Sequence, residues 1–244
     1  MTYRMSHVDR GDTYDSTLAT RPFDAYMARW EARYAVDIAR RLFPSKIPRY
    51  LDFACGTGRM TQILEPLARE TVGIDVSPSM LRIAREKVPN AAFVEVDLTI
   101  NQADLGQFDL ASSFRFFGNA EQALRTAVLR ALNRMLKMNA YLMLNNHRNP
   151  RALASALEVI TGGPKLMDLT HAKLQRLLSD TGFQILESKP IAVWQYRSKL
   201  MMQTGRNQEK EERLERLFGA EVWVPIAPDA IVLARKTREL ASSS

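Results

Sequence analysis

The sequence predicts an α/β fold: a doubly wound, mostly parallel seven-stranded sheet with helices on both faces, preceded by a helical N-terminal extension. Two observations predict it. From Tyr50 onward, short apolar runs alternate with stretches whose apolar residues recur at helical spacing, joined by short connections. The run over 140–144, Ala-Tyr-Leu-Met-Leu, is apolar almost throughout, as befits a central strand buried on both faces.

The elements follow in order. Phe23, Met27, Trp30, Tyr34 and Ile38 lie one or two turns apart and predict a helix over 22–42, which Pro44 and Pro48 close. Residues 50–54 form a first strand interrupted by Asp52. Met60, Ile63, Leu64 and Leu67 stripe a helix that Pro66 is expected to kink. Residues 72–76 make the second strand, and Ser77-Pro78 supplies an N-cap and a first-turn proline for a helix through Lys87. Strands three and four are expected over 92–96 and 108–114, and Leu124, Val128, Ala131, Leu132 and Met135 stripe the long helix before strand five. Asn149-Pro150 opens a helix ended by Gly162-Gly163, and Thr170 caps another ended by Gly182. Strands six and seven fall at 183–186 and 231–234, and the tail from Ala241 is expected to be disordered. The reading is one domain over 47–240, with residues 1–46 as the extension or lid.

Composition excludes several classes. The 244 residues suffice to bury a large core, and a single cysteine, Cys55, allows no internal disulfide and no cysteine-based metal cluster. The polar N-terminus lacks the apolar run of a signal peptide, and no stretch of about 18 apolar residues occurs, so no membrane span and a cytoplasmic location are expected. The net charge of +7 is spread along the chain with no basic block, which ranks a small-molecule partner above nucleic acid. The densest charge run, Glu209–Arg216, mixes signs and is expected to be a solvated helix face.

The stretch that carries chemistry is Leu51-Asp52-Phe53-Ala54-Cys55-Gly56-Thr57-Gly58-Arg59, where the first strand meets the first helix of the sheet. Gly56 and Gly58 remove two β-carbons where a tight turn must let a ligand approach the backbone. Asp75 ends the second strand, where an acid accepts hydrogen bonds from both hydroxyls of a ribose. Asp97 ends the third, within reach of an adenine amino group. Ligands of doubly wound sheets bind beyond such strand ends. A dinucleotide fingerprint would place a third glycine at position 61, where this chain has Thr61, and Asp52 sets an acid just before the turn. An acid there suits an ammonium-bearing ligand better than a pyrophosphate.

At these residues the chain resembles the class I S-adenosylmethionine-dependent methyltransferases. Asp52-x-Ala54-x-Gly56-x-Gly58 is similar to their first motif, Gly73-Ile74-Asp75-Val76-Ser77-Pro78-x-Met80-Leu81 to the next, and Val96-Asp97-Leu98 to the adenine motif. Phe108-Asp109-Leu110, Leu136-Lys137-x-x-x-Tyr141-Leu142 and Asp180–Phe183 resemble later stretches. The resemblance implies a Rossmann-like methyltransferase fold, S-adenosyl-L-methionine as cofactor, and a role for each matching residue. Asp52, Ala54, Gly56 and Gly58 would cradle the methionine part and Asp75 the ribose. Val76 and Met80 would flank the adenine, Asp97 would take its amino group and Leu98 its ring through the backbone, and Phe114 would lie near the sulfonium. Ala54 stands where the family often has glycine, and Met138-Asn139-Ala140 where it often has Pro-Gly-Gly. Asn139 tolerates the left-handed conformation that such a turn needs.

Methyl transfer needs in-line placement and, for some acceptors, a base. His147, just beyond strand five, is the candidate base. Arg115 is the candidate for an anionic or aromatic acceptor, set among Phe114, Phe116 and Phe117; the plainer reading makes these core aromatics beside a surface arginine. Tyr14, Tyr26 and Trp30 either close over the site or pack their own helix. His171 is expected at the surface and His7 in a flexible tail. No metal site is expected. The leading function is a metal-independent methyltransferase acting on an oxygen or nitrogen of a small molecule. An RNA or protein methyltransferase and a non-catalytic S-adenosylmethionine-binding protein stand as alternatives, and oligomeric state stays open.

Overall fold

The computed structural model describes residues 22–100, 104–152, 168–194 and 208–240. His7, Tyr14, the body of the helix expected after Asn149-Pro150 and the tail from Ala241 lie outside them.

Helix α1 (Pro22–Leu42) spans the whole stretch whose spacing predicts it. Strand β1 (Ile47–Phe53) begins three residues before the apolar run, carried across Pro48 by pairing with β2 (Ala68–Asp75). Between them Arg59–Leu64 forms α2, and Pro66 sits in a 3-10 turn over Glu65–Leu67, so the helix ends at the proline instead of bending through it. Ser77 accepts from the Met80 amide and caps α3 (Pro78–Lys87), which leads to β3 (Ala92–Glu95). Strand β4 (Phe108–Ser113), α4 (Gln122–Met135) and β5 (Leu136–His147) follow. Then come α5 (His171–Asp180), capped by Thr170, β6 (Phe183–Ile191), α6 (Gln208–Leu217), a 3-10 turn and β7 (Asp229–Lys236).

The seven strands form one sheet in the order β3-β2-β1-β4-β5-β7-β6. Neighbours from β3 to β5 pair in parallel, and β7 runs antiparallel between β5 and β6. The doubly wound, mostly parallel arrangement is therefore present. Strand order reverses at β1/β4, which places their carboxyl ends at the switch point.

Strand β5 is more than twice as long as its apolar run, because β4 on one side and β7 on the other satisfy its backbone along most of its length. Asn139 takes a φ of 66°, as expected at the turn before that run, and the register with β4 shifts there. Two apolar layers flank the sheet. Tyr26, Met27, Trp30, Met60 and Leu64 from α1 and α2 cover one face, and Leu129, Leu132, Leu174 and Leu178 from α4 and α5 the other. No helix among the described residues is long and apolar enough to cross a membrane.

Candidate cofactor and acceptor site

The turn after β1 packs three left-handed residues into five positions: Ala54 (φ 53°), Gly56 (φ 55°) and Gly58 (φ 76°). The Cys55 amide donates to the Ile74 carbonyl at 3.0 Å, pinning the turn to β2. Gly58 is also needed for space, since a β-carbon there would lie 3.1 Å from that of Ala84 in α3. At Gly56 an added β-carbon would meet nothing within 4 Å, so the turn opens onto free space on that side. Burial pushes the Cys55 thiol well above its usual range, which makes it a packing residue and a poor nucleophile.

Asp52 lies beneath this turn, 2% exposed. Its two carboxylate oxygens accept from the Thr61 hydroxyl at 2.6 Å and the Ser112 hydroxyl at 2.7 Å, and Tyr50 shares a 2.6 Å bond with Ser112. Position 61, where a dinucleotide site wants a third glycine, here holds the acid in place. Burial raises the Asp52 carboxyl to about 6, with the two hydroxyls and the nearby Arg59 opposing the shift.

Asp75 closes the other side. Its carboxylate accepts the Gly56 amide at 2.8 Å and the Ser77 amide at 3.0 Å, so one side chain ties the glycine turn to the start of α3. Asp97 accepts from the amide and the hydroxyl of Thr99. Val76 is 37% exposed, whereas Met80, Leu98 and Phe114 are buried. The structure thus brings Asp52, Ala54, Gly56, Gly58, Asp75, Val76, Met80, Asp97, Leu98 and Phe114 to the carboxyl ends of adjacent strands or the segments just beyond them.

Arg115 departs from the reading as a surface arginine. Its side chain is 13% exposed, and its guanidinium lies 3.4 Å from Glu31 and 3.7 Å from Asp24, both on α1. Its backbone is left-handed (φ 61°) and its amide donates to Asn145 Oδ1 at 2.6 Å. Phe116 and Phe117 belong to the core, and Tyr26 and Trp30 pack α1 against the sheet. His147 ends β5 opposite Asp229, and the Nδ1–Cε1 edge of its ring lies over Gly118.

Two expectations are corrected. His171 is not a surface residue: one ring nitrogen bonds the Ala227 carbonyl at 3.2 Å, the other Asn146 Nδ2 at 3.1 Å, and desolvation lowers its pKa to about 4. The helix over the mixed charge run is not wholly solvated either. Arg216 pairs with Glu212 as spaced, but Glu211 reaches Arg29 of α1, and Glu215 is buried against Tyr26, Trp194 and the Ala192 amide.

Sequence reading missed Glu31, Arg59, Asn145 and Glu215. The signal for Glu31 was an acid one turn after Met27, inside the apolar stripe of α1. Fully buried, it accepts from Arg59 Nη2 at 2.7 Å and Asn145 Nδ2 at 2.8 Å. Among the described residues no group of three His, Cys, Asp or Glu side chains stands close enough to hold a metal ion.

Comparison with known proteins points the same way. Residues 51–139 match the family model of a methyltransferase domain. The chain is 40% identical over 76 residues to a trans-aconitate 2-methyltransferase of Escherichia coli, covering 30% of each chain. It is 39% identical over 105 residues to a demethylmenaquinone methyltransferase of Thermus thermophilus, covering 39% of this chain and 46% of that one. The chain thus spans less than half the length of these relatives. Among solved structures, the magnesium protoporphyrin IX methyltransferase of Synechocystis superposes with a TM-score of 0.67 at 15% identity, covering 96% of this chain and 97% of that one.

Proposed function

Since the chain belongs to the class I S-adenosylmethionine-dependent methyltransferases, we propose that it transfers a methyl group from that cofactor to an oxygen or nitrogen of a small-molecule acceptor, without a metal ion. The observation that carries the proposal is the alignment of three acids at the ends of adjacent parallel strands, Asp52 on β1, Asp75 on β2 and Asp97 just beyond β3, around a glycine turn open at Gly56.

S-Adenosylmethionine, when bound, supplies a methyl group on a positively charged sulfur. The residues of the chain do the rest. Asp75 presents a half-buried carboxylate to the ribose hydroxyls, with its geometry set by the Gly56 and Ser77 amides. Asp97 takes the adenine amino group, while Val76 and Met80 flank the ring. Asp52 puts a buried negative charge beneath the amino-acid end, and Phe114 walls the sulfonium side. His147 Nε2, on the ring edge away from Gly118, accepts the acceptor's proton where one must leave. Arg115, saturated by Glu31 and Asp24, orients the acceptor wall. The charge of the chain is spread without a basic block, and the trans-aconitate and demethylmenaquinone methyltransferases it resembles take their names from small molecules, which supports an acceptor of that size.

Calorimetric titration with S-adenosylhomocysteine and, separately, with NAD tests the reading. Binding of the former alone is expected, followed by labelled-methyl transfer in an acceptor screen. Asp75→Ala should weaken S-adenosylhomocysteine binding by about 1–3 kcal/mol through lost ribose hydrogen bonds. Binding of NAD alone would overturn the proposal.

A further inference from the structure

Three segments far apart in sequence meet at His147. The turn at Gly118 lies against the Nδ1–Cε1 edge of its ring. Asn146 precedes it on β5, and residues 225–228 lead into Asp229, its partner across the β5/β7 ladder. Each of the three is fastened to one short stretch, residues 168–171, where α5 begins.

Asp168 Oδ1 accepts from Arg125 Nη2 at 2.8 Å. Arg125, 2% exposed, donates through Nε to the Phe117 carbonyl at 2.8 Å, one residue before Gly118. The Leu169 carbonyl accepts from Asn146 Nδ2 at 3.1 Å. His171 reaches the other two segments at once, with one ring nitrogen 3.2 Å from the Ala227 carbonyl and the other 3.1 Å from Asn146 Nδ2. A carbonyl can only accept, so the neutral imidazole carries its proton on Nε2, and Nδ1 accepts from Asn146. The Ala227 carbonyl also accepts from Asn149 Nδ2 at 2.9 Å, which ties β5 to the entry of β7 beyond the last ladder pair. None of these bonds involves the glycine turn or its acids, Asp52, Asp75 and Asp97. Directed bonds between buried polar groups fix angles as well as distances, which apolar packing alone does not.

We propose that His171 is a positioning residue for His147, acting through Asn146 and the Ala227 carbonyl, while the pair of Asp168 and Arg125 holds the Gly118 side of the same ring. This assignment rests on the role given to His147 above. It places the start of α5, outside the stretch that matches the family model, in control of the candidate base.

The test reads His147 directly, because the chain has only three histidines. Two-bond nitrogen–proton correlation spectra of the full chain at alkaline pH report which ring nitrogen carries the proton, and His147→Ala assigns the His147 signals. In the wild type, His171 should show the Nε2–H form. His147 should show a single form with its proton on Nδ1, as a base acting through Nε2 requires. His171→Phe should turn His147 into a mixture of forms, with S-adenosylhomocysteine affinity by calorimetry changed less than about 3-fold. His171→Gln keeps a donor for Ala227 and an acceptor for Asn146, and should restore the single form. With an acceptor, kcat of His171→Phe should fall about 10-fold at unchanged cofactor KM. If His171→Phe does not fold, Asp168→Asn, at a side chain 56% exposed, disturbs the same ring from the Gly118 side. A His147 spectrum unchanged in the folded variants, a mixture already present in the wild type, or His171 in the Nδ1–H form overturns the assignment. Wild-type protein that binds no S-adenosylhomocysteine overturns the methyltransferase reading instead.

Discussion

The phenol of Tyr26 donates a 2.5 Å hydrogen bond to Glu215, fastening α1 to α6 across 189 positions of sequence. Trp194 Nε1 donates to the same carboxylate oxygen, and the Ala192 amide to the other. Burial raises the Glu215 carboxyl, and the three donors oppose that shift. Tyr26→Phe removes one donor from a buried acceptor and adds no bulk. The expected loss is about 1–3 kcal/mol of unfolding free energy, read from urea denaturation at neutral pH. A variant as stable as wild type would show that the pair contributes nothing net.

Asp52 should make stability depend on pH. Its carboxyl sits at about 6 in the folded protein against an ordinary value of 3.8, because burial disfavours the ionised form. The folded state therefore holds the proton more tightly than the unfolded state between those values. The associated stability is fully present below 3.8 and is lost as pH rises through about 6. Asp52→Asn cannot titrate, so wild-type stability relative to the variant should fall by roughly 3 kcal/mol between pH 3.5 and 7. Parallel stability curves for the two proteins would contradict the raised value.

Ala54 pays a conformational cost that glycine would avoid. Its φ of 53° is left-handed, which costs a residue with a β-carbon about 1–2 kcal/mol. Glycine regains that at the expense of about 0.5–1 kcal/mol of unfolded-chain entropy. Ala54→Gly should thus raise stability by roughly 0.5 kcal/mol, measured as a higher denaturation midpoint. Destabilisation would mean that the Ala54 methyl group packs better than its backbone angle costs.

Gly118 and His147 make a third kind of test. A β-carbon at Gly118 would stand 2.6 Å from the His147 carbonyl and 3.0 Å from its ring, so Gly118→Ala must displace the histidine. With an acceptor in hand, Gly118→Ala and His147→Ala should both lower turnover while leaving S-adenosylhomocysteine affinity intact. The acidic limb of the pH–rate profile should disappear in His147→Ala. Wild-type turnover in both variants would remove His147 from the reaction.

Local chemistry made much of this molecule readable in advance. Ser77-Pro78 starts α3 because the serine hydroxyl meets an amide three residues on, and Asn139 adopts the left-handed angle its side chain tolerates. Gly56, Gly58, Asp75 and Asp97 stand together at one end of the sheet, as their place at successive strand ends in the sequence leads one to expect. By contrast, β5 reached both beyond and before its apolar run, because its length depends on backbone pairing with β4 and β7. His171 looked like a surface residue because its partners, Asn146 and the Ala227 carbonyl, lie 25 and 56 positions away.

By itself, the sequence determined the alternation of strands and helices, the glycine turn and the acidic strand ends, since each depends on neighbours a few residues apart. Only the tertiary structure decided which charges are buried and with whom. Glu31 with Arg59 and Arg115, and Glu215 with Tyr26, are pairings across tens to hundreds of positions. Whether such a carboxylate is a solvated surface group or the centre of a buried site depends on packing that no local pattern encodes.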